Sequence, residues 1–125
     1  MPDSTRDPRT LLPLPHLEYQ ILVSLADADS HGYAIIKQVA ERSEGTSTPS
    51  TGSLYLAIAR LLKHGLIEEV EPGVKEGRKK RTYALSTFGR EVAEAETTRL
   101  GELARLAQDR LQGRHAATSG PRGRR

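Results

Sequence analysis

The densest charge in the chain lies between Gly73 and Tyr83, where Lys75, Arg78, Lys79, Lys80 and Arg81 are accompanied by a single acid, Glu76. Such a cluster suits a polyanion. Duplex DNA carries one charge per ~1.7 Å of axis, and pairing its phosphates with cations releases condensed counterions. The plainer reading is a solvated tip. A second group, Ser50, Thr51, Gly52 and Ser53, puts small hydroxyl side chains and a glycine at what reads as a helix start. Free backbone N–H groups and the positive end of the helix dipole suit phosphate there, and Ser and Thr can meet base edges. Gly52 removes bulk that would hold a groove floor away. Here too a plainer reading exists, in which Ser50 and Ser53 only cap the helix and Tyr55 packs.

Bond-making chemistry finds little support. The chain has no cysteine, which excludes disulfides, thiolate metal sites and cysteine nucleophiles. His16, His31, His64 and His115 show no spacing or carboxylate pairing suited to zinc. There is no G-x-S-x-G, and GVKEGRK lacks the spacing of a phosphate-binding P-loop. No catalytic residue, metal or cofactor is expected. Glu68, Glu69 and Glu71 read as a solvent-facing strand edge. No apolar run approaches the roughly 18–20 residues of a membrane span. The first 15 residues, with Asp3, Asp7 and four prolines, lack the apolar stretch of a signal peptide. A cytoplasmic protein without a membrane partner is expected.

These residues need a scaffold, and 125 of them suffice for one domain. With 36% hydrophobic and 4% aromatic residues, the core must be small and mostly aliphatic. Net charge is +3, yet four arginines lie in the tail from Gly113 onward; without them 15 basic groups stand against 16 acidic, a net of −1. Local clustering therefore carries the electrostatic argument.

Residues 1–15 read as a disordered, proline-punctuated arm. From His16 to Asp29, Leu17, Ile21, Leu22, Leu25 and Ala28 recur at helical spacing. Ser30 is placed to cap a second helix with Tyr33, Ile36, Val39 and Ala40 toward the core. After a loop at 44–49, Ser50 caps a third helix whose apolar face is Leu54, Ile58, Leu61 and Leu62. Its outward positions are Ser50, Thr51, Gly52, Ser53, Leu56, Arg60 and Lys63, with Tyr55 at the boundary. Arg60 and Lys63 are expected to meet the phosphate backbone. Gly65 stops this helix. Segments 66–71 and 81–85 read as a hairpin with the basic cluster at its tip. Ser86 caps a last helix from Thr87 to about Gln112, roughly 39 Å long. Residues 113–125 read as a disordered basic tail.

Three helices, a hairpin and a long helix give a mainly α fold with a small β-hairpin: a winged helix-turn-helix over residues 16–86 and a long C-terminal helix over 87–112. The third helix would be the recognition element.

Four motifs in order carry a family resemblance: His31-Gly32-Tyr33-Ala34-Ile35, Ser50-Thr51-Gly52-Ser53-Leu54-Tyr55, Leu62-Lys63-His64-Gly65-Leu66-Ile67, and Leu85-Ser86-Thr87-Phe88-Gly89. Over residues 16–90 the chain resembles the PadR family of bacterial transcriptional regulators. Thr51 and Leu56 stand where that family often has proline. The resemblance implies a regulator, more often a repressor, that binds double-stranded DNA. It also implies phosphate contacts from His31 and Tyr33, although a capping His31 and a core Tyr33 are the alternative. One helix after the wing matches the family's short branch, which implies a homodimer whose last helix packs across its partner's first.

That last helix fits such a role. Ala93, Thr97, Leu100, Ala104, Ala107 and Leu111 alternate at spacings of four and three, flanked by Leu103 and Leu106. A domain of some 70 residues cannot cover so long a stripe, so Leu100, Leu103, Ala104, Ala107 and Leu111 are expected at a dimer seam; packing in cis on the first helix is the alternative. Two recognition helices would then meet a pseudo-palindromic site. The resemblance further implies a small-molecule effector near that seam. No aromatic residue lies between Gly89 and Arg125, which leaves Tyr19 as the nearby stacking candidate. The rivals are a winged-helix module that binds protein without specific DNA binding, and a ligand- or metal-sensing regulator of another winged-helix family.

Overall fold

The computed structural model describes residues 6–42, 49–70 and 81–113. Its elements are a 3-10 turn at Pro8–Leu11, α1 at His16–Ser24, β1 at Ser30–His31, α2 at Gly32–Arg42 and α3 at Thr51–Lys63. There follow β2 at Ile67–Val70, β3 at Thr82–Leu85, α4 at Thr87–Gln108 and a π-helical turn at Asp109–Gly113. The strands form an antiparallel sheet in the order β1-β3-β2.

Local chemistry explains where the helices begin and stop. Ser50 is extended and its hydroxyl accepts from the Ser53 N–H at 3.0 Å, which starts α3 as expected. At the other end Gly65 has φ +75°, the Gly65 N–H donates to Leu62 O and the Leu66 N–H to Leu61 O. That pair of bonds is a Schellman stop, and it needs a residue tolerant of the left-handed region. Ser86 repeats the cap for α4: its Oγ accepts from the Gly89 N–H at 2.8 Å and donates to Gly65 O at 2.6 Å. Gly89 fills the contact. A Cβ there would lie 1.9 Å from the Leu66 carbonyl oxygen, so only glycine lets α4 start against the exit of α3.

The core gathers Ile21 and Leu22 of α1, Ile35 and Val39 of α2, Leu54, Ile58 and Leu61 of α3, then Leu66, Ile67 and Val92. Tyr83 is its fully buried aromatic, and the remainder is aliphatic as the composition requires.

Several expectations are corrected. α1 ends at Ser24, five residues early, because Ser30 and His31 are drawn into a strand opposite Tyr83 and Thr82. Ser30 therefore caps no helix; His31 does so instead, its Nδ1 accepting from the Ala34 N–H at 3.4 Å. The hairpin becomes a three-stranded sheet. α2 is rotated relative to the expected face: Ile35 and Val39 are buried, Ile36 and Ala40 only partly, and Tyr33 is 70% exposed. Residues 6–15 form no loose arm. Asp7 caps the 3-10 turn, Leu11 and Leu12 pack on the core, and Leu14 is buried with its N–H donated to Glu96 Oε2 at 3.0 Å. The α-helical part of α4 ends at Gln108, short of Gln112, and a π turn takes over.

Candidate nucleic-acid interface

α3 presents one face to the core and the other to solvent. Leu54, Ala57, Ile58 and Leu61 are buried, while Ser50, Thr51, Gly52, Ser53, Tyr55, Leu56, Arg60 and Lys63 are all exposed. Each sequence-predicted residue of this helix therefore reaches solvent. Ser50 both caps and lies on the surface, so the two readings of it are compatible. Its Oγ also donates to Ser53 Oγ at 3.0 Å. Gly52 has open space where a side chain would project.

The start of α2 joins this surface through Gly32. A Cβ on Gly32 would sit 2.3 Å from the Tyr55 hydroxyl and 2.9 Å from Tyr55 Cζ, so the tyrosine ring end rests directly on the Gly32 backbone. The glycine thus seats Tyr55 and brings α3 beside His31 and Tyr33. His31 is half-buried, and Tyr33, 70% exposed, cannot be the core residue of the plainer reading.

Arg60 carries a structural tie that the sequence does not show. Its Nε donates to Glu18 Oε2 at 2.5 Å, and Glu18 is buried on α1. A carboxylate taken out of water needs such a partner. Arg60 therefore braces α3 against α1, while Lys63 projects without that tie. Sequence reasoning missed Glu18. Its one signal is an acid between Leu17 and Ile21 in an apolar stretch, with its partner 42 residues away.

Arg81 is exposed and within 3.8 Å of Glu69 across the hairpin. Burial raises the Tyr83 hydroxyl above its ordinary pKa, against the opposing pull of Arg81. Lys75, Arg78, Lys79 and Lys80 lie outside the described residues.

The stripe expected at a dimer seam divides at Leu100. Before it, Val92 and Glu96 are buried, and Thr97 accepts or donates a 2.7 Å bond with the Tyr19 hydroxyl. Beyond it, Leu103, Ala104 and Leu111 are exposed and Ala107 is half-buried. An open groove of about 420 Å³ runs along α1 beside this region, lined by His16, Tyr19, Gln20, Val23 and Arg42. Its polar groups are internally paired: Gln20 with His16 at 2.9 Å, and Arg42 with the Ser24 hydroxyl at 2.8 Å. Tyr19, the stacking candidate, lines it with its hydroxyl already engaged by Thr97.

Known proteins share this fold. The model of the transcriptional regulator PadR-like family matches residues 21–95. A PadR family transcription regulator from Clostridium difficile superposes with a TM-score of 0.70 at 24% identity, over 78% of this chain and 99% of its own. A PadR-like transcriptional regulator from Bacillus cereus gives 0.67 at 25% identity, over 77% and 91%. Bacillus subtilis PadR, solved in complex with operator DNA, gives 0.58 at 21% identity, over 65% and 47%. At 21–24% identity the likeness carries the fold alone.

Proposed function

The chain belongs to the PadR-like family of transcriptional regulators, and on that premise we propose that it is a homodimeric repressor binding a pseudo-palindromic operator. Residues 16–86 form the DNA-binding unit, with α3 in the major groove and the basic hairpin on the flanking backbone. α4 and the turn after it form the dimer seam, and the segment from Arg6 to Pro15 belongs to the folded body.

The observation that carries this reading is the solvent face of α3. Its first two turns bear Thr51, Gly52, Ser53, Tyr55 and Leu56, all exposed, at the end of the helix from which helix-turn-helix proteins contact base edges. Thr51 and Ser53 read base edges or phosphates, and Lys63 meets the backbone. His31 and Tyr33 extend the contact to the neighbouring phosphate. Lys75, Arg78, Lys79, Lys80 and Arg81 supply most of the salt-dependent affinity.

Support for the dimer comes from exposure that one protomer leaves in place: Leu103 at 52%, Leu106 at 48% and Leu111 at 73%. Leu103 and Leu106 on α4 and Leu111 in the turn after it are exposed large aliphatic side chains of the kind that an interface covers. Leu100 and Ala107 complete the seam. The groove along α1, with exposed Val23 among its lining residues, offers the complementary wall. An effector in that groove would act by changing the angle between protomers.

Fluorescence anisotropy tests the reading, with the duplex upstream of the protein's own gene, a scrambled duplex as control, and two salt concentrations. Tighter binding to the upstream duplex that persists at the higher salt is the expected result. No binding to either duplex at low salt would overturn it in favour of a protein-interaction module.

A further inference from the structure

The outer edge of α3 has an unusual profile. Leu54, Ala57, Ile58 and Leu61 define the buried face. At about 100° per residue, the positions diametrically opposite are Gly52, Leu56, Ala59 and Lys63. Along this ridge Leu56 is 64% exposed, with a glycine one turn before it and an alanine nearly one turn after. The open space at Gly52 leaves the leucine standing clear of the preceding turn, the most exposed large apolar side chain of α3. On the preceding turn its neighbours are Gly52 and Ser53, small residues, and the aromatic beside it, Tyr55, is 44% exposed with its hydroxyl end resting on Gly32.

We infer that Leu56 is a specificity-determining residue which recognises the C5-methyl group of a thymine in the major groove. The inference rests on the proposed DNA-binding role of α3. In that groove the thymine methyl is the apolar group presented by the bases, and an aliphatic side chain matches it by burying both from water. A leucine between small residues reaches further than its neighbours, so it meets the groove floor first. Thr51 and Ser53, shorter and polar, are left to hydrogen-bond at adjacent positions. The operator therefore carries a thymine at the position Leu56 faces, chosen by its methyl rather than by its hydrogen-bonding edge.

Deoxyuridine isolates that methyl, because it pairs and presents O4 as thymine does and lacks only the C5-methyl. The full-length protein is first used to select a duplex from a randomised pool. Each thymine of the selected duplex is then replaced singly by deoxyuridine, and affinity is measured for the parent, Leu56→Ala and Leu56→Met. Removing one buried methyl predicts a loss of about fourfold for the parent at one thymine per half-site. Leu56→Ala is expected to bind the thymine and uracil forms alike at that position. Leu56→Met, which keeps an apolar side chain of similar reach, retains the discrimination. A selected duplex whose deoxyuridine scan is flat overturns the inference and leaves the DNA-binding role standing. So does a sensitive thymine that stays sensitive in Leu56→Ala. Failure of the pool to yield any enriched duplex overturns the DNA-binding role, and the inference with it.

Discussion

Replacing Glu96 by alanine should loosen the N-terminal segment from the body of the protein. Glu96 is 1% exposed, and its carboxylate accepts three bonds: from the Leu14 N–H at 3.0 Å, from Arg99 Nε at 2.6 Å and from Arg99 Nη2 at 3.0 Å. In Glu96→Ala the Leu14 amide is stranded in a dry site, which costs about 1–3 kcal/mol. The vacated volume beneath Leu14 adds about 1 kcal/mol per methylene removed and not refilled. Arg99, partly exposed, turns to water. The sum, about 3 kcal/mol, is a large share of the 5–15 kcal/mol typical of a domain. Glu96→Gln keeps the shape and one acceptor oxygen, and is expected to cost less than half as much.

Urea unfolding at fixed protomer concentration reads the global loss, and hydrogen exchange of the Leu14 amide reads the local one. Acid gives an independent check. The hydrogen bonds from Arg99 first, and the Leu14 N–H after them, hold the Glu96 pKa below its ordinary value of 4.5 despite burial. The stabilisation is therefore complete above that value and fades as pH falls through the lowered folded-state pKa. The parent should lose stability there more steeply than Glu96→Gln. A Glu96→Ala protein within 0.5 kcal/mol of the parent, with Leu14 exchanging as slowly as before, would refute the reasoning.

Gly89→Ala forces a Cβ into the Leu66 carbonyl, where no flexible side chain can yield, and should cost about 3 kcal/mol or more; a urea midpoint near that of the parent would show that α4 can shift at its start. Lys79→Ala with Lys80→Ala should weaken binding to all duplexes and lower the slope of log affinity against log salt by roughly two charges. Equal slopes for mutant and parent count against the basic hairpin. Leu103→Glu with Leu106→Glu alters side chains already exposed within one protomer, so helicity should hold while sedimentation reports monomers and operator affinity drops at least about tenfold. A double mutant that sediments as a dimer moves the seam elsewhere.

What the sequence makes legible is what adjacent residues decide. The Ser50 and Ser86 caps and the Gly65 stop depend on chemistry within a turn or two and lie where capping rules put them. The buried row of α3 follows periodicity at Leu54, Ile58 and Leu61, with Ala57 buried in addition and Leu62, expected on that face, only partly so. β1 could not be read this way. Ser30 is a good helix cap in isolation, and only pairing with Tyr83, far along the chain, makes it a strand. With Ser30 in the strand, α2 starts at Gly32, and Tyr33 lies 70% exposed. The N-terminal segment hides for a similar reason. Leu11, Leu12 and Leu14 sit among prolines that resemble a linker, and their order comes from a carboxylate 82 residues away.

Arg60 shows how such a long-range contact adds to the functional reading. By type and position it suits a phosphate, and its Nε is also tied to the buried Glu18. Its side chain remains 53% exposed, so the brace and the proposed backbone contact are compatible. The tie also has a structural consequence. Glu18 holds α3, and the next residue, Tyr19, bonds Thr97 of α4. Consecutive residues of one nine-residue helix therefore hold the candidate recognition helix on one side and the candidate dimer helix on the other. A change in the angle of α4 has to break the Tyr19–Thr97 bond or carry α1, and with it α3, along. In the proposed dimer the spacing between recognition helices would then depend on α1 as well as on the seam.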